Sequence, residues 1–188
     1  MISFFMVIAS IFMRLLPHIP NVTPVTATAL FGGAYMKKRF AIAIPLISMM
    51  ISDYLLLYVN PFGYPVIHTN HIYPISAMIH STTLYVWGSF SISGFIGIWL
   101  RKRNKPGNVI FASFMASVQF FLITNFGVWA GGMYTRNLTG LGESYIMGFP
   151  FFRWTVIGDL FYTIVFFGTY ILARDIVKNV KLSIVTTV

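Results

Sequence analysis

The amino-acid sequence predicts an all-α integral membrane protein, a single transmembrane domain over residues 1–188 that forms a six-helix bundle. Three observations lead to this fold class. Hydrophobic residues make up 57% of the chain and charged residues only 9%, whereas a soluble domain carries charge on roughly a quarter of its positions. The apolar residues form separate long segments, and the basic residues are concentrated between them. We therefore expect lipid to cover much of the protein surface.

Six apolar segments are predicted to be the membrane helices. They are Ile2–Leu16, Thr23–Met36, Phe40–Tyr58, Ile79–Leu100, Val109–Ala130 and Phe151–Ala173. Because a spanning helix needs about 20 residues, the second segment is either a tilted span or a re-entrant one, and a re-entrant segment would change the topology. The first segment lacks a basic flank and a cleavage site, so we expect a retained helix rather than a signal peptide.

The basic residues predict the orientation. Three clusters separate the second segment from the third, separate the fourth from the fifth, and follow the sixth. They contain Lys37, Lys38, Arg39, Arg101, Lys102, Arg103, Lys105, Arg174, Lys178 and Lys181. Six crossings place all three clusters on one face, which the positive-inside rule makes cytoplasmic. The sequence thus predicts a multi-pass protein of the cytoplasmic membrane with both termini inside. Clusters of this kind between apolar segments do not indicate a nucleic-acid partner.

The linkers on the opposite face are longer and richer in Pro, Asn, His and Gly. They are Pro17–Pro24, Asn60–Ser76 and Gly131–Pro150. Long loops above a helical bundle are typical places for a lid or a substrate gate. Small residues four apart predict close helix packing on the fourth and fifth segments, at Ser89, Ser93 and Gly97, and at Ala112 and Ala116.

Four ionisable residues lie inside apolar segments, where each is costly unless it is paired. Arg14, Asp53, Arg153 and Asp159 are all predicted at a similar depth near the outer face. They suggest two buried ion pairs, Arg14 with Asp53 and Arg153 with Asp159 across neighbouring helices. Such pairs either fix the register of the helices or contact a substrate directly, and the sequence leaves both interpretations open.

The stretch 124–129 predicts a ligand contact near the outer end of the fifth segment. Asn125 is a buried amide with aromatic neighbours, and Gly131 and Gly132 follow it. An apolar pocket with a few polar groups is the usual setting of a small-molecule site. The alternative is that Asn125 bonds a neighbouring helix and only stabilises packing.

Three histidines predict a metal site or simply a solvated surface. His68 and His71 lie in one loop and His80 opens the fourth segment, so their imidazoles could bind Zn, Ni or Co on the outer face. No carboxylate accompanies them closely, and loop histidines are commonly solvated. The chain has no cysteine, which excludes disulfides and thiolate ligands.

Several motifs resemble a family of small prokaryotic membrane proteins without a characterised function. They are the stretches 17–24 and 30–35, Ser52-Asp53, the stretch TNFGVW at 124–129, the stretch 150–153 and Gly158-Asp159. That family is in turn similar to the substrate-binding S components of energy-coupling-factor (ECF) vitamin transporters, and most similar to those that bind cobalamin. The resemblance implies a six-helix bundle with both termini cytoplasmic and a ligand site beneath the outer loops.

The resemblance also implies a function. We expect a membrane-embedded subunit that binds a small micronutrient for uptake, with cobalamin or a related corrinoid as the leading substrate hypothesis and no permanently bound cofactor. An energising module of a transmembrane subunit and ATPases is the implied partner, besides the lipid bilayer. The expected contacts with substrate are Asn125, Trp129, His80, Asn21, Phe126 and Tyr85. Because no cysteine is present to contact cobalt, His80 or a loop histidine would have to serve.

Two alternatives come from other classes of protein. A membrane-embedded enzyme would use Asp53, Asp159 and histidines as acid–base groups, whereas a structural subunit of a membrane complex would need no pocket. No Walker loop, nucleophile elbow or HExxH motif is present in the sequence. The sequence therefore favours a binding protein over an enzyme.

Overall fold

The computed structural model describes residues 2–16, 18–37, 40–60 and 71–186. These parts of the chain contain six α-helices and one short 3₁₀-helix. They are α1 (Ile2–Leu15), α2 (Val25–Tyr35), α3 (Ala43–Leu55), a 3₁₀-helix (Ile75–Met78), α4 (Thr83–Leu100), α5 (Pro106–Ala130) and α6 (Leu138–Thr186). Each predicted apolar segment corresponds to one α-helix, so the prediction of an all-helical protein is confirmed.

Three of these helices are long and apolar enough to cross a membrane. They are α4, α5 and the part of α6 from Leu138 to Asn179. The helix α3 is apolar but shorter. Many large apolar side chains lie on the outer surface of the bundle, among them Phe95, Phe111 and Phe161. The structure is therefore that of a membrane-associated helical protein.

The last helix is much longer than predicted. The sequence assigned residues 131–150 to an outer loop because they contain several glycines and Pro150, but α6 begins at Leu138 and continues through that proline. The Asn137 side chain caps the helix by accepting a hydrogen bond from the Gly140 N–H at 2.8 Å. The first turns also pack against α5, since the Ser144 hydroxyl donates to the Asn125 carbonyl at 2.7 Å. Tertiary contacts with α5 thus outweigh the low helix propensity of this stretch.

The helix α2 lies in the centre of the bundle. All ten residues from Val25 to Ala34 are buried, and α1, α3, α4, α5 and α6 all contact the helix. With 11 residues, it is only about 16 Å long, compared with a hydrocarbon core of about 30 Å. The second segment is therefore a short helix enclosed by protein, and protein groups must satisfy the polar atoms at both of its ends.

At the C-terminal end of α2, these polar atoms are bonded to Arg101, which follows α4. Its guanidinium donates to the Gly33 carbonyl at 2.7 Å and to the Met36 carbonyl at 2.6 Å. A cation at a helix C-terminus also interacts favourably with the helix dipole. Because α2 and α4 end side by side, the two helices run in the same direction.

The described residues of all three basic clusters lie at this same end of the bundle. Asn104, in the α4–α5 loop, hydrogen-bonds the Tyr35 hydroxyl, and the Tyr35 ring lies 4.1 Å from that of Tyr170 on α6. At the opposite end, Arg14 on α1 contacts α3. Together with the antiparallel contacts of α3 with α4 and of α5 with α6, these contacts show that successive helices alternate in direction.

Glycine allows α2 and α4 to approach closely, so the predicted role of small residues in packing is confirmed. A methyl group on Gly97 would overlap the Leu30 carbonyl oxygen and lie 2.9 Å from the Gly33 Cα. Ser89, Ser93, Ala112 and Ala116 are likewise buried. The close approach of the two helices brings Arg101 to the end of α2.

We expect Gly97→Ala to destabilise the protein, because the added methyl group has no room between α2 and α4. Overpacking of this kind typically costs about 1–3 kcal/mol. The matched control is Gly88→Ala on the same helix, where a Cβ would meet nothing within 4 Å. Thermal unfolding in detergent should show a lower Tm for Gly97→Ala, and an unchanged or higher Tm for Gly88→Ala. Equal Tm values would contradict the close α2–α4 contact.

Candidate functional site

Two adjoining cavities open within the bundle at the end opposite the basic clusters. The first, which we call the Asp159 cavity, has a volume of about 180 Å³. Its lining residues are Arg14, His18, Asn21, Thr23, Val25, Thr26, Leu56, Val86, Phe90, Phe120, Thr155 and Asp159. Charged and hydroxyl groups therefore share this cavity with apolar side chains, which is a typical composition for a small-molecule site.

The second cavity, which we call the Asn125 cavity, lies between α5 and α6 and also has a volume of about 180 Å³. Its lining residues are Asn21, Phe120, Phe121, Thr124, Asn125, Gly148, Phe151, Phe152 and Thr155. The two cavities share Asn21, Phe120 and Thr155. These three residues form the boundary between two compartments that a single ligand could bridge.

One of the two predicted ion pairs is present beside the Asp159 cavity. Arg14 Nη1 lies 2.5 Å from Asp53 Oδ1, and about four-fifths of each side chain is buried. The same nitrogen lies 2.7 Å from the Ser52 hydroxyl, and Trp87 Nε1 donates to Asp53 Oδ2 at 3.2 Å. Arg14 and Asp53 thus neutralise each other and tie α1, α3 and α4 together, so this pair fixes the arrangement of the helices.

Asp159 is in a different situation. It is only 2% exposed, and its carboxylate accepts hydrogen bonds from the Ser117 hydroxyl at 2.7 Å and from the Thr26 side chain. Within the described parts of the chain it forms no ion pair.

Thr26 belongs to the first turn of α2, so the positive end of this helix faces Asp159. A helix N-terminus stabilises a partly buried carboxylate by up to about 2 kcal/mol. Burial of an ion in protein costs several kcal/mol. In the ionised form, the negative charge of Asp159 is therefore only partly compensated by its surroundings.

The second predicted pair, Arg153 with Asp159, is wrong. Arg153 lies on the surface of the bundle, and its guanidinium carbon is 5.1 Å from the centre of the Trp154 ring. Both predicted partners lie on α6, and six helical positions separate them by about 120° around the axis and about 9 Å along it. One side chain thus faces outward and the other faces α2 and α5.

The structure places two of the six predicted substrate contacts at the cavities and the other four, His80 among them, away from the cavities. Asn21 and Asn125 line the cavities. Asn21 adopts a left-handed conformation with φ of 67°, which asparagine tolerates better than most residues. Tyr85, Phe126 and Trp129 line neither cavity and form an aromatic cluster where α4 meets α5. The ring centres of Tyr85 and Phe126 are 6.0 Å apart, and those of Phe126 and Trp129 are 5.4 Å apart.

Asn125 itself is partly engaged in helix packing. Its Nδ2 donates to the Phe121 carbonyl at 2.8 Å. Its Oδ1 occupies the space left by the missing side chain of Gly148 on α6. Asn125 therefore packs against α6 and also borders a cavity, and its contact with a ligand stays a prediction.

The described histidines do not come together as a metal site. His80 lies before the first turn of α4, where its Nδ1 is 2.9 Å from the Thr82 hydroxyl, and it borders neither cavity. His71 packs against the Tyr73 ring, whereas His68 lies outside the described residues. No group of three metal-binding side chains occurs within the described ranges.

Sequence reasoning named Asp159 but missed Thr155 and the hydroxyl residues that lie beside Asp159 on α5 and α6. Thr155, Asp159 and Thr163 follow one another at intervals of four on α6, and Ser113 and Ser117 show the same spacing on α5. Side chains four apart share one face of a helix. The two stripes meet in the structure, since Thr163 bonds Ser113 at 3.1 Å and Ser117 bonds Asp159. This spacing was the signal in the sequence that could have located the site.

The fold and the site together define a helical membrane-associated protein with a polar cavity in its interior. A family profile described as a family of unknown function (DUF6580) matches residues 1–181, and the chain belongs to that family. No curated protein and no solved structure matches the chain.

We expect that the Arg14–Asp53 pair stabilises the fold and that removal of one partner is worse than removal of both. Arg14→Leu or Asp53→Asn leaves one charge buried without its partner, which costs about 3 kcal/mol or more. The double variant should be more stable than the sum of the two single effects predicts. Thermal unfolding in detergent measures the stability of the two single variants and of the double variant.

The control pair is Arg174 with Asp175, which is more than half exposed. Its removal should change stability by less than about 1 kcal/mol. Additive effects of Arg14→Leu and Asp53→Asn would contradict the structural role of their pair.

Proposed function

We propose that this protein is a membrane-embedded substrate-binding subunit for the uptake of a small micronutrient. It crosses the cytoplasmic membrane six times, with both termini and the three basic clusters in the cytoplasm. The proposal combines the sequence resemblance to ECF S components with the site. One observation carries it: the two adjoining polar cavities lie at the end of the bundle that faces away from the basic clusters.

The geometry of the helices supports the six-crossing topology. Successive helices alternate in direction, and the described basic residues are grouped at one end, as the positive-inside rule requires for six crossings. The short length of α2 is compatible with this topology because the helix faces other helices rather than lipid. The short and extended segments beside it complete the crossing.

The size of the cavities favours a compact ligand over a corrinoid. Sites for drug-sized molecules usually enclose about 300–1,000 Å³, and each of the two cavities measures about 180 Å³. A vitamin with one or two rings would occupy both cavities in this conformation. Cobalamin would require the outer segments to separate first. Binding would combine burial against Phe120 and Phe90 with hydrogen bonds to Asn21, Asn125 or Thr155.

For Asp53, one of the two acidic residues that an enzyme would use, the contacts favour a structural role over catalysis. Asp53 is held by Arg14 and Trp87, so it is engaged in structure rather than available as a base. An energising module, implied by the resemblance, would supply the driving force for uptake. The protein described here would supply recognition of the substrate.

A screen of purified protein against water-soluble vitamins tests this proposal. A ligand at 100 times its Kd stabilises the folded state by about 2.7 kcal/mol, so a true substrate should raise the Tm measurably. Thr155→Leu should abolish the shift, because Thr155 borders both cavities and a larger apolar side chain would fill the boundary between them.

The control is Thr169→Leu, the same substitution at an exposed position of α6, which should respond to ligand as the wild type does. A folded wild-type protein that responds to no vitamin would count against a binding subunit for micronutrients. Such a result would favour a structural role in a membrane complex.

The topology can be tested by cysteine labelling, since the natural chain has no cysteine. Arg136 lies in the α5–α6 loop and Lys102 in the α4–α5 loop, and both residues are exposed. Each is replaced by cysteine in a separate variant. In spheroplasts, a membrane-impermeant thiol reagent should label Arg136→Cys at once, but Lys102→Cys only after the membrane is permeabilised. The opposite pattern would reverse the orientation, and labelling of both without permeabilisation would refute the topology.

A further inference from the structure

We propose that Asp159 is the counter-ion of a monovalent cation bound in the Asp159 cavity. The cation is either a positively charged nitrogen of the micronutrient or an inorganic ion such as sodium. The inference concerns the same site as the proposed function and rests on it, because it specifies the charge of what binds there.

The first reason is the balance of charge around the cavity. Among the described residues that line it, Arg14 is neutralised by Asp53. Asp159 has hydrogen-bond donors but no ion pair within the described ranges. A carboxylate that is only 2% exposed has little contact with bulk solvent to offset its charge. Binding of a cation would supply the missing charge.

The second reason is the chemistry of the surrounding atoms. Ser117 and Thr26 donate hydrogen bonds to the carboxylate, and the hydroxyl residues Thr26 and Thr155 line the cavity. Oxygen donors suit hard cations and ammonium groups rather than soft metals. Phe90 and Phe120, with ring centres 5.1 Å apart, line the same cavity, and aromatic side chains attract organic cations.

The third reason is that the fold leaves room at this position. Asp53 is bonded to Arg14 and Trp87 and lines neither cavity. Asp159 instead borders an open volume of about 180 Å³. The carboxylate, the hydroxyl groups and the space therefore coincide in one place.

The experiment uses matched pairs of probes that differ mainly in charge. The pairs are pyridoxamine with pyridoxine, and 1-methylnicotinamide with nicotinamide. A separate arm titrates sodium chloride against potassium chloride at constant ionic strength in a buffer with a bulky organic cation. Binding to the full-length protein in detergent is followed by thermal shift and calorimetry, for the wild type, Asp159→Asn and Asp175→Asn.

We expect the cationic member of a pair, or sodium, to bind the wild type, and its Kd to rise about 30-fold or more in Asp159→Asn. Loss of one partner of a buried charge pair has an effect of this size. Asp175→Asn removes the same charge from an exposed site at the other end of the bundle and should bind normally. Preference for the organic cations identifies the substrate nitrogen as the source, and a response to sodium alone identifies an inorganic ion.

The unliganded Asp159→Asn protein provides a second readout. Because the substitution removes a poorly compensated buried charge, its Tm without ligand should equal or exceed that of the wild type. A clear fall in Tm, with no change in cation binding, would show that Asp159 is structural and would overturn the inference.

Other outcomes separate this inference from the proposed function. A neutral probe that binds the wild type and Asp159→Asn equally, but not Thr155→Leu, would refute the cation and leave the binding subunit intact. A folded wild-type protein that binds neither these probes, nor sodium, nor any vitamin of the wider screen would refute both.

Discussion

The structure depends on the burial of a helix that is too short to cross a membrane. The polar backbone groups at both ends of α2 lie inside the bundle, where lipid cannot satisfy them and water has little access. At the C-terminal end, Arg101 donates to the Gly33 and Met36 carbonyls. At the N-terminal end, Thr26 and the positive end of the helix meet the Asp159 carboxylate. The surrounding helices thus hold Arg101 at the C-terminal end of α2 and Asp159 at its N-terminal end.

The position of the site follows from the same constraint. Because α2 begins below the outer surface of the bundle, the chain before it, from Asn21 to Pro24, enters the interior without helical structure. Asn21 and Thr23 line the space above the helix, and Phe120 and Thr155 close it from α5 and α6. A short central helix therefore creates both a polar cavity and a fixed dipole directed into it. Transport proteins with discontinuous helices place binding sites at helix ends for the same physical reason.

Much of the fold could be predicted from the sequence, because hydrophobic segments and basic clusters are strong signals over many residues. Each segment became a helix, and alternation in direction followed the charges. The extension of α6 to Leu138 could not be read from propensity, since the contact of Ser144 with α5 stabilises a stretch rich in glycine. In the site, Asn125 was predicted because an amide among aromatic residues is conspicuous, and Asn21 because the resemblance implied a ligand beneath the outer loops. Thr155 was missed because a hydroxyl in an apolar helix gives a weak local signal, which becomes informative only with its partners four residues away.

The two buried aspartates show that the groups around a carboxylate, rather than its depth in the protein, distinguish one acidic residue from another. In the sequence, Asp53 and Asp159 look alike, as single acidic residues within apolar segments. In the structure, Arg14 lies 2.5 Å from Asp53. The two charges neutralise each other, and the ion pair fixes the arrangement of the helices. Asp159 receives hydroxyl groups and a helix dipole, which stabilise an anion without cancelling it. A buried charge without an opposite charge lowers the stability of the fold. Where such a charge borders an open cavity, the binding of a ligand can offset this loss of stability. The absence of a basic partner in the described structure, rather than burial itself, separates the aspartate that we propose to bind a cation from the one that is paired with arginine.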